Sequence, residues 1–313
     1  MSPVIHCVRH AQGFHNLNHA NHILPDPLLT PHGETQCRNL LINFPFHSDV
    51  ELIVASPLRR TIYTALLAFE VPLREKGLKV IALPEIQETS DVPCDIGSDL
   101  EALEREVREN DLPVDLSLVT EGWNNKKNAR WAPDAKAISA RAREARRWLK
   151  SRPEKEIIMV SHGGFLHYFT EDWQDSTLYT EILDQLVLSS LFVFTYEVTK
   201  KKPSPNNYTN LRPSPVWPGT GWANTEFRTY EFSEAIHDDD LYGHKVGGDN
   251  ASIIETIDSR QRRGKQDPPN AREQQKQFFV QAMTAWENQI LQNAANEKSE
   301  EIQQKQAVEV DAN

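Results

Sequence analysis

The sequence predicts an α/β fold: a three-layer α/β/α domain with a mostly parallel central sheet, an insertion cap and a helical C-terminal extension. Four short apolar runs have the length and composition of buried strands: Val4–Val8, Leu52–Ala55, Leu78–Leu83 and Ile157–Ser161. Segments with a helical spacing of apolar residues lie between these runs. Strands that alternate with helices form βαβ units, in which helices cover both faces of a parallel sheet.

Two of the predicted helices begin at a hydroxyl side chain followed by proline. Thr30-Pro31 and Ser56-Pro57 each offer an N-cap and a residue suited to the first turn. A third helix is predicted over Ala135–Lys150. One face of that helix carries the apolar side chains Ile138, Ala142, Ala145 and Leu149.

Composition divides the chain into three regions. The α/β domain is predicted over residues 1–200, with a polar insertion at about 97–133 above the carboxyl edge of the sheet. Residues 201–265 are a loop-rich extension that packs on this core. Residues 266–313 are a polar helical tail, rich in Gln, Asn, Glu and Lys, whose end is expected to be disordered.

Additional elements are predicted in the second half of the chain. Leu186–Val198 is β-branched and aromatic and is expected to form an edge strand, and Phe227–Phe232 is a further candidate strand. In the tail, an amphipathic helix is predicted from the spacing of Phe278, Phe279, Met283, Trp286 and Ile290.

Charge and composition exclude several classes of partner. The 313 residues carry a formal net charge of -11 at pH 7, which argues against binding to nucleic acid or to an anionic membrane. The three cysteines form no CxxC pair or metal-type cluster, as is usual in a reducing compartment. No secretory signal or membrane span is apparent. A cytoplasmic protein is therefore expected, with a nuclear location left open.

Cationic and imidazole side chains follow three of the predicted strands. Arg9 and His10 end the first, Arg60 lies in the first helical turn after the second, and His162 and Gly163 follow the fourth. Ligands of open α/β sheets bind beyond the carboxyl ends of the strands. Each motif alone also fits a core histidine, a surface arginine or a glycine turn. Together they predict a site for an anion.

Four motifs resemble those of the phosphoglycerate-mutase-like histidine phosphatases. They are Arg-His-Ala at 9–11 with Asn16, Asp-Pro-Leu-Leu-Thr-Pro-His-Gly at 26–33, Ser-Pro-Leu-x-Arg at 56–60 and Ser-His-Gly-Gly at 161–164. The resemblance covers about residues 4 to 198. Beyond residue 200 it extends to a fungal subgroup.

The resemblance implies a catalytic role for each matching residue. His10 attacks phosphorus and forms a phosphohistidine, and Arg9, Arg60 and His162 surround the phosphoryl oxygens. The implied phosphate-binding residues are Arg9, Asn16, Arg60, His162 and Gly163. Phosphoryl transfer requires charge compensation on the phosphoryl oxygens, which these groups provide without a metal or another cofactor. A backbone carbonyl bound to one ring N–H would fix the reactive tautomer of His10, which is expected to be reachable by solvent.

The family also takes a proton from a carboxylic acid after the third strand. Its Leu-Arg-Glu pattern matches Ile86-Gln87-Glu88, so the resemblance implies that Glu88 is the general acid. Glu85, Asp91 and Asp95 are close competitors. Two departures from the family pattern are Ala11 in place of glycine after the nucleophile, and Gln87 in place of arginine, which removes a cation from the rim of the site.

These features predict a metal-independent phosphatase that hydrolyses a small phosphate monoester. Three alternatives stay open: a mutase, a non-catalytic scaffold or interaction subunit, and other chemistry on the same fold, such as elimination of an activated leaving group. The mutase is disfavoured by the few basic residues of the insertion. The expected partner is a small phosphorylated substrate. A homo-oligomer or a protein partner bound through the C-terminal tail is left open.

Two further groups of side chains have a structural and a functional interpretation. Aromatic residues of the insertion and late loops either form a wall over an organic moiety or pack the loops down: Trp123, Trp131, Trp217 and Trp222. A segment from Asn224 to Arg228 either borders the pocket or only packs. Four histidines that are clustered in the sequence, and that no acid or cysteine completes as a metal site, are interpreted as loop residues: His15, His19, His22 and His32.

Overall fold

The computed structural model describes residues 2–173, 221–233 and 251–284. The chain forms two compact units, one of residues 1–172 with 220–270 and one of residues 173–219 with 271–313. The predicted strand at Leu186–Val198 lies outside the described residues. The domain boundaries drawn from composition stay predictions.

The first unit is built on a seven-stranded mixed sheet in the order β4-β3-β2-β5-β1-β6-β7. Neighbouring strands from β4 to β1 are parallel, and β6 and β7 are antiparallel additions at the edge beside β1. The strands are β1 (Val4–Arg9), β2 (Leu52–Ala55), β3 (Val80–Ala82), β4 (Val114–Asp115), β5 (Glu156–Ser161), β6 (Phe227–Phe232) and β7 (Ile253–Glu255). The predicted α/β class with a mostly parallel sheet is confirmed.

Burial explains why the inner strands are continuous apolar runs. Every residue of β2 is buried, and so are the four inner residues of β1 and the last five of β5. A strand between two parallel neighbours has both faces covered, so it lacks the alternation of a half-exposed strand. The strand predicted at Phe227–Phe232 forms with those bounds as β6.

Seven helices are complete within the described residues of the first unit. They are α1 (Pro31–Asn43), α2 (Arg59–Ala68), α3 (Glu70–Lys76), α4 (Leu100–Glu109), α5 (Ala135–Lys150), α6 (Gly163–Thr170) and α7 (Ile257–Arg262). Helix α1 packs against α2, and α5 packs against α6. The helix predicted at Ala135–Lys150 forms with those bounds as α5, and its predicted apolar face is buried.

The two predicted N-caps have different outcomes. Thr30 caps α1 as predicted, because its hydroxyl accepts the N–H of Gly33 at 3.0 Å. The prediction for Ser56 is wrong, since α2 begins at Arg59 after the extended residue Leu58. Asp26 takes over part of the capping: its carboxylate accepts the N–H of Arg59 at 3.0 Å. Because Asp26 accepts an N–H group at the start of α2, the Ser56 hydroxyl is not needed as a cap and can make another contact.

The polar insertion contributes to the sheet as well as lying outside it. It contains α4 and β4, and β4 pairs in parallel with β3 at the edge of the sheet. Trp123 is fully buried, and a Cβ added at Gly97 would lie 2.1 Å from its ring. Two parts of the insertion thus pack together through the Trp123 ring, and this contact leaves no room for a side chain at position 97.

In the second unit, the described residues include a helix over 272–284, which contains Phe278, Phe279 and Met283 of the predicted amphipathic helix; Trp286 and Ile290 lie outside the described residues. The ring of Phe279 packs edge-on against Trp173, with centroids 5.3 Å apart. Within the part of the chain that the structure describes, no helix is long and apolar enough to cross a membrane.

We expect Gly33→Ala to destabilise the fold. A Cβ at position 33 would lie 2.2 Å from the carbonyl oxygen of Gln12, a backbone atom that cannot rotate away. Displacing this contact should lower the free energy of unfolding by about 1–3 kcal/mol. The midpoint of urea unfolding measures the loss. The exposed control Asn39→Ala, on the same helix, should change the free energy of unfolding by less than about 0.5 kcal/mol. Equal midpoints for the two variants would contradict the prediction.

Candidate active site

The strand order brings three chain segments to one edge of the sheet. Strand β5 lies between β1 and β2, and all three run parallel. His10 follows β1, Ser56 follows β2 and His162 follows β5. Because the carboxyl ends of parallel strands meet at the same edge, these residues become neighbours despite their separation in the chain.

The ring of His10 is held in one tautomer by its own backbone. Its Nδ1 lies 2.7 Å from the carbonyl oxygen of Ala11, which can only accept, so Nδ1 carries the proton. The Nε2 atom therefore keeps its lone pair. The carbonyl contact that the sequence analysis required is thus provided by the residue next in the chain.

The solvent-reachable position predicted for His10 is wrong, since the residue is only 2 % exposed. The loop over 221–226 meets the end of β1, where Asn224 Nδ2 donates to the His10 carbonyl at 2.9 Å. The rings of His15 and His162 have centroids 5.4 and 5.2 Å from that of His10. Asn224 is 214 residues away in the chain and belongs to the segment Asn224–Arg228, for which the sequence left a position beside the pocket open; its contact with His10 favours that position.

His162 contacts the side chain that was predicted to cap a helix. Its Nε2 lies 2.9 Å from the hydroxyl of Ser56, and the imidazole is fully buried. Its Nδ1 is also buried and has no hydrogen-bond partner among the described residues. Ser56 therefore orients an imidazole of this cluster instead of beginning α2.

Arg60 is a fully buried guanidinium placed by the first turn of α2. Its Nη1 donates to the carbonyl of Cys94 at 2.6 Å, and its Nη2 forms an ion pair with Asp95 at 2.9 Å. Its Nε is buried without a partner in the described part of the chain. The Cys94 carbonyl and Asp95 thus fix the Nη edge of the guanidinium, and its Nε–H is available to another acceptor.

Arg9 lies at the end of β1 beside the first turn of α6. It donates to the carbonyl of Trp222, and its Nε is buried without a hydrogen-bond partner within the described residues. A Cβ added at Gly163 would lie 3.3 Å from that Nε. Glycine at position 163 thus leaves room for the guanidinium beside the helix N-terminus.

Glu88 places its carboxyl group at the N-terminus of α6. Its Oε1 accepts the N–H groups of Thr89 at 2.9 Å and Phe165 at 3.0 Å. A Cβ added at Gly164 would lie 2.6 Å from the same oxygen, so a larger residue at position 164 would displace the Glu88 carboxyl group. The paired glycines predicted to admit a ligand closely also admit this side chain.

The competing carboxyl groups have other positions. Glu85 forms an ion pair with Arg130 at 2.5 Å, and Asp91 is exposed. Asp95 is committed to Arg60 and to the hydroxyl of Ser90. Within the described residues, Glu88 is thus the candidate whose carboxyl group is held by α6 directly after His162.

Burial and neighbouring cations keep both imidazoles neutral. Burial lowers the pKa of His10 and His162 well below the ordinary 6.5, and the positive charge of Arg60 lowers both further. Burial also raises the pKa of Glu88, and the negative charge of Asp95 adds to this effect. At neutral pH the cluster contains an unprotonated imidazole and a carboxyl group that retains its proton to higher pH than usual.

Three residues that line or support the candidate site were not predicted to do so from the sequence. His15 was interpreted as a loop residue, yet it is buried beside His10, and burial lowers its pKa to about 2. Thr64 accepts the N–H of Ala11 at 3.0 Å and supports the turn after β1. Lys126 of the insertion is buried and donates to the carbonyl of Glu88 at 2.7 Å. Of these, only His15 had a usable signal, its position next to the motif residue at 16.

Other predicted site residues have mainly structural contacts. Asn16 accepts the N–H of Gly13 at 3.0 Å through its side-chain oxygen. The expectation that Gln87 belongs to the rim is wrong: it is fully buried, and its amide donates to the Trp123 carbonyl at 2.8 Å. Three of the four tryptophans considered for an aromatic wall are described and buried, which favours packing over an open wall: Trp123, Trp131 and Trp222. Trp217 lies outside the described residues.

The fold and this cluster are typical of an α/β enzyme that acts on a phosphorylated ligand. The model of the histidine phosphatase superfamily (branch 1) matches residues 5–204, more than half of the chain. The chain therefore belongs to the histidine phosphatase superfamily. The resemblance inferred from the motifs is confirmed at this level, and the fungal subgroup stays a prediction.

Individual relatives have two kinds of name. A probable phosphatase of Schizosaccharomyces pombe is 28% identical over 170 residues, which are 53% of this chain and 76% of that protein. A phosphoglycerate mutase-like protein of Arabidopsis thaliana is 30% identical over 205 residues, 52% of this chain and 72% of that protein. Both names agree with the family, and they leave the exact activity to experiment.

A solved structure of similar fold is that of a phosphoserine phosphatase mutant from Entamoeba histolytica in complex with phosphoserine. It aligns with 81% of this chain and 95% of that chain, at 15% identity and a TM-score of 0.39. Because both values are low, this likeness supports no inference about function.

Proposed function

We propose that this chain is a phosphatase that hydrolyses a small phosphate monoester through a phosphohistidine on His10, without a metal. One observation carries the proposal. Four buried nitrogen atoms around the end of β1 have no hydrogen-bond partner among the described residues: Arg9 Nε, His15 Nδ1, Arg60 Nε and His162 Nδ1. The two guanidinium Nε–H groups among them are donors, which are costly to leave unpaired in a buried site, and a phosphoryl group beside them would accept their hydrogen bonds.

In the first step, His10 Nε2 attacks phosphorus and the bond from phosphorus to the ester oxygen breaks. Glu88, initially protonated, donates its proton to the leaving alkoxide. The guanidinium groups of Arg9 and Arg60 offset negative charge on the phosphoryl oxygens. The products of this step are the free alcohol and a phosphohistidine.

In the second step, water attacks the phosphohistidine and the nitrogen–phosphorus bond breaks. The carboxylate of Glu88 takes a proton from the attacking water, which regenerates the acid. His10 recovers its lone pair on Nε2, and inorganic phosphate leaves. The hydrogen bond from Nδ1 to Ala11 holds the ring in place through both steps.

Trapping of the phosphohistidine tests this proposal. We expect 4-nitrophenyl phosphate to be hydrolysed in the presence of EDTA. Enzyme quenched in alkali during turnover should carry one phosphate on His10, and this phosphate should be lost in acid, as expected for a phosphorus–nitrogen bond. Turnover that requires an added metal ion, or a label on another side chain, would contradict the proposal.

The mutase-like name of a 30% identical relative keeps a second activity in view. A mutase returns the phosphoryl group to a second hydroxyl of the product instead of to water. Release of inorganic phosphate in equal amount to the alcohol favours the phosphatase. Movement of phosphate between the hydroxyl groups of one substrate, without release, favours the mutase. A scaffold without turnover would give neither result.

A further inference from the structure

We propose that Lys126, a buried lysine of the insertion, is a positioning residue for the carboxyl group of Glu88. The proposal rests on the function proposed above, in which Glu88 exchanges the proton with the leaving group and with water. It assigns to the insertion a part in catalysis through a side chain that belongs to none of the motifs.

The contact is direct and joins two distant segments. Lys126 Nζ donates to the backbone carbonyl of Glu88 at 2.7 Å, and 38 residues separate the two in the chain. On its other side, the Glu88 carboxylate accepts the N–H groups of Thr89 and Phe165. The carboxyl group of Glu88 is thus held at the N-terminus of α6, and the backbone of the same residue is held by the ammonium group of the insertion.

Arg141 of α5 already anchors the segment before the acid. Its Nη1 donates to the carbonyls of Glu85 at 2.8 Å and Gln87 at 3.0 Å, and its Nη2 lies 3.5 Å from the Glu88 carbonyl. At 3.5 Å the last of these contacts is weak. The strong bond to the Glu88 carbonyl therefore comes from Lys126, at the residue that carries the acid.

A purely structural bond to a neutral carbonyl would not require a buried ammonium group. Lys126 is only 6 % exposed, and no carboxylate lies within ion-pair distance of it in the described part of the chain. Burial of a charge without a close partner is costly. The charge is offset mainly by more distant anions, among which the Glu88 carboxylate is the one that changes during catalysis.

Groups of both signs face Lys126 and set its charge. Burial lowers its pKa to about 7; the cations Arg141 and Arg60 lower it as well, and the anions Asp95 and Glu88 raise it. The positive charge of Lys126 also lowers the pKa of His162. Below about pH 7 Lys126 is protonated and stabilises the ionised form of Glu88, so its removal raises the pKa of that carboxyl group.

Lys126→Met tests the proposal against the control Lys127→Met, which removes a neighbouring exposed ammonium group. Two substrates separate the acid from the nucleophile: phenyl phosphate, whose phenolate needs protonation, and 4-nitrophenyl phosphate, whose leaving group needs little. We expect kcat on phenyl phosphate to fall about 10-fold or more in Lys126→Met, and on 4-nitrophenyl phosphate by less than about 3-fold. The alkaline limb of kcat/KM on phenyl phosphate should move to higher pH.

Lys127→Met should leave both rates and the limb unchanged. If Lys126→Met lowers kcat equally on both esters and leaves the alkaline limb of kcat/KM at its wild-type pH, Lys126 has only a structural role and the proposal is overturned. Rates equal to those of Lys127→Met would also overturn it. If Lys126→Met fails to fold, Lys126→Gln decides. It retains a donor for the Glu88 carbonyl without the charge, and we expect the same shift of the limb with a smaller fall in rate.

Failure of this inference differs from failure of the proposed function. If Lys126 has no positioning role, the wild-type enzyme still forms phosphohistidine and its Lys126 variants resemble Lys127→Met. If the proposed function is wrong, no label is trapped on His10 in any of these proteins. The two readouts are therefore independent.

Discussion

His10→Gln should lose hydrolysis of 4-nitrophenyl phosphate by on the order of 10⁴-fold or more, because no other side chain takes over the attack on phosphorus. Glutamine has a similar volume, and its amide can still donate to the Ala11 carbonyl that binds Nδ1 at 2.7 Å. The rate of 4-nitrophenolate release in EDTA measures the effect.

The buried position of His10 determines the controls. Because the residue is 2 % exposed, its replacement is expected to lower the free energy of unfolding by about 1–2 kcal/mol, so a folded sample must be verified by circular dichroism and urea unfolding. His32→Gln, at an exposed position of α1, should retain the wild-type rate. A folded His10→Gln enzyme with substantial activity would contradict the role of nucleophile.

Glu88→Gln should have the second largest effect, and it should depend on the leaving group. Glutamine retains the side-chain oxygen bound by Thr89 and Phe165 but cannot transfer a proton. We expect a loss of about 10²–10⁴-fold in kcat on phenyl phosphate. On 4-nitrophenyl phosphate the first step should be nearly unaffected, and any fall in kcat reports the missing base of the second step.

A matched variant shows whether the acid has been assigned correctly. Glu85→Gln removes a carboxyl group three residues earlier that is paired with Arg130, and we expect little change on either ester. The pKa of Glu88 is raised first by burial and then by Asp95, so the wild-type rate on phenyl phosphate should persist above the usual range of a glutamic acid. If Glu85→Gln, and not Glu88→Gln, lowered the rate on phenyl phosphate more than on 4-nitrophenyl phosphate, the role of general acid would belong to Glu85.

Much of the candidate site could be predicted from the sequence because its groups follow strands. A strand of five or six apolar residues is a local pattern, and the rule that ligands bind at the carboxyl ends of parallel strands supplies the rest. This sufficed to bring Arg9, His10, Arg60 and His162 into one cluster. The bounds of α5 and β6 were also predictable, because each is an uninterrupted pattern that ends at polar residues or a turn.

Other contacts depend on residues that are distant in the chain. Ser56 has the pattern of a helix cap, but an aspartate 33 residues away from Arg59 binds the helix N-terminus, and the serine instead contacts His162. Position 87 matches a motif position where arginine is common, yet its glutamine is buried beneath the insertion. In both cases a competing partner, invisible to local propensity, determines the contact.

By itself, the sequence determined the class of fold, the family and which motif residues meet at the end of the strands, since these depend on local apolar patterns and short motifs. Only the tertiary structure decided how those groups are tuned. Asn224 of the loop over 221–226 binds the His10 carbonyl, Asp95 pairs with Arg60, and the insertion brings Lys126 to the Glu88 carbonyl. Burial and charge at a site are sums over neighbours from the whole chain, and a linear sequence does not list those neighbours.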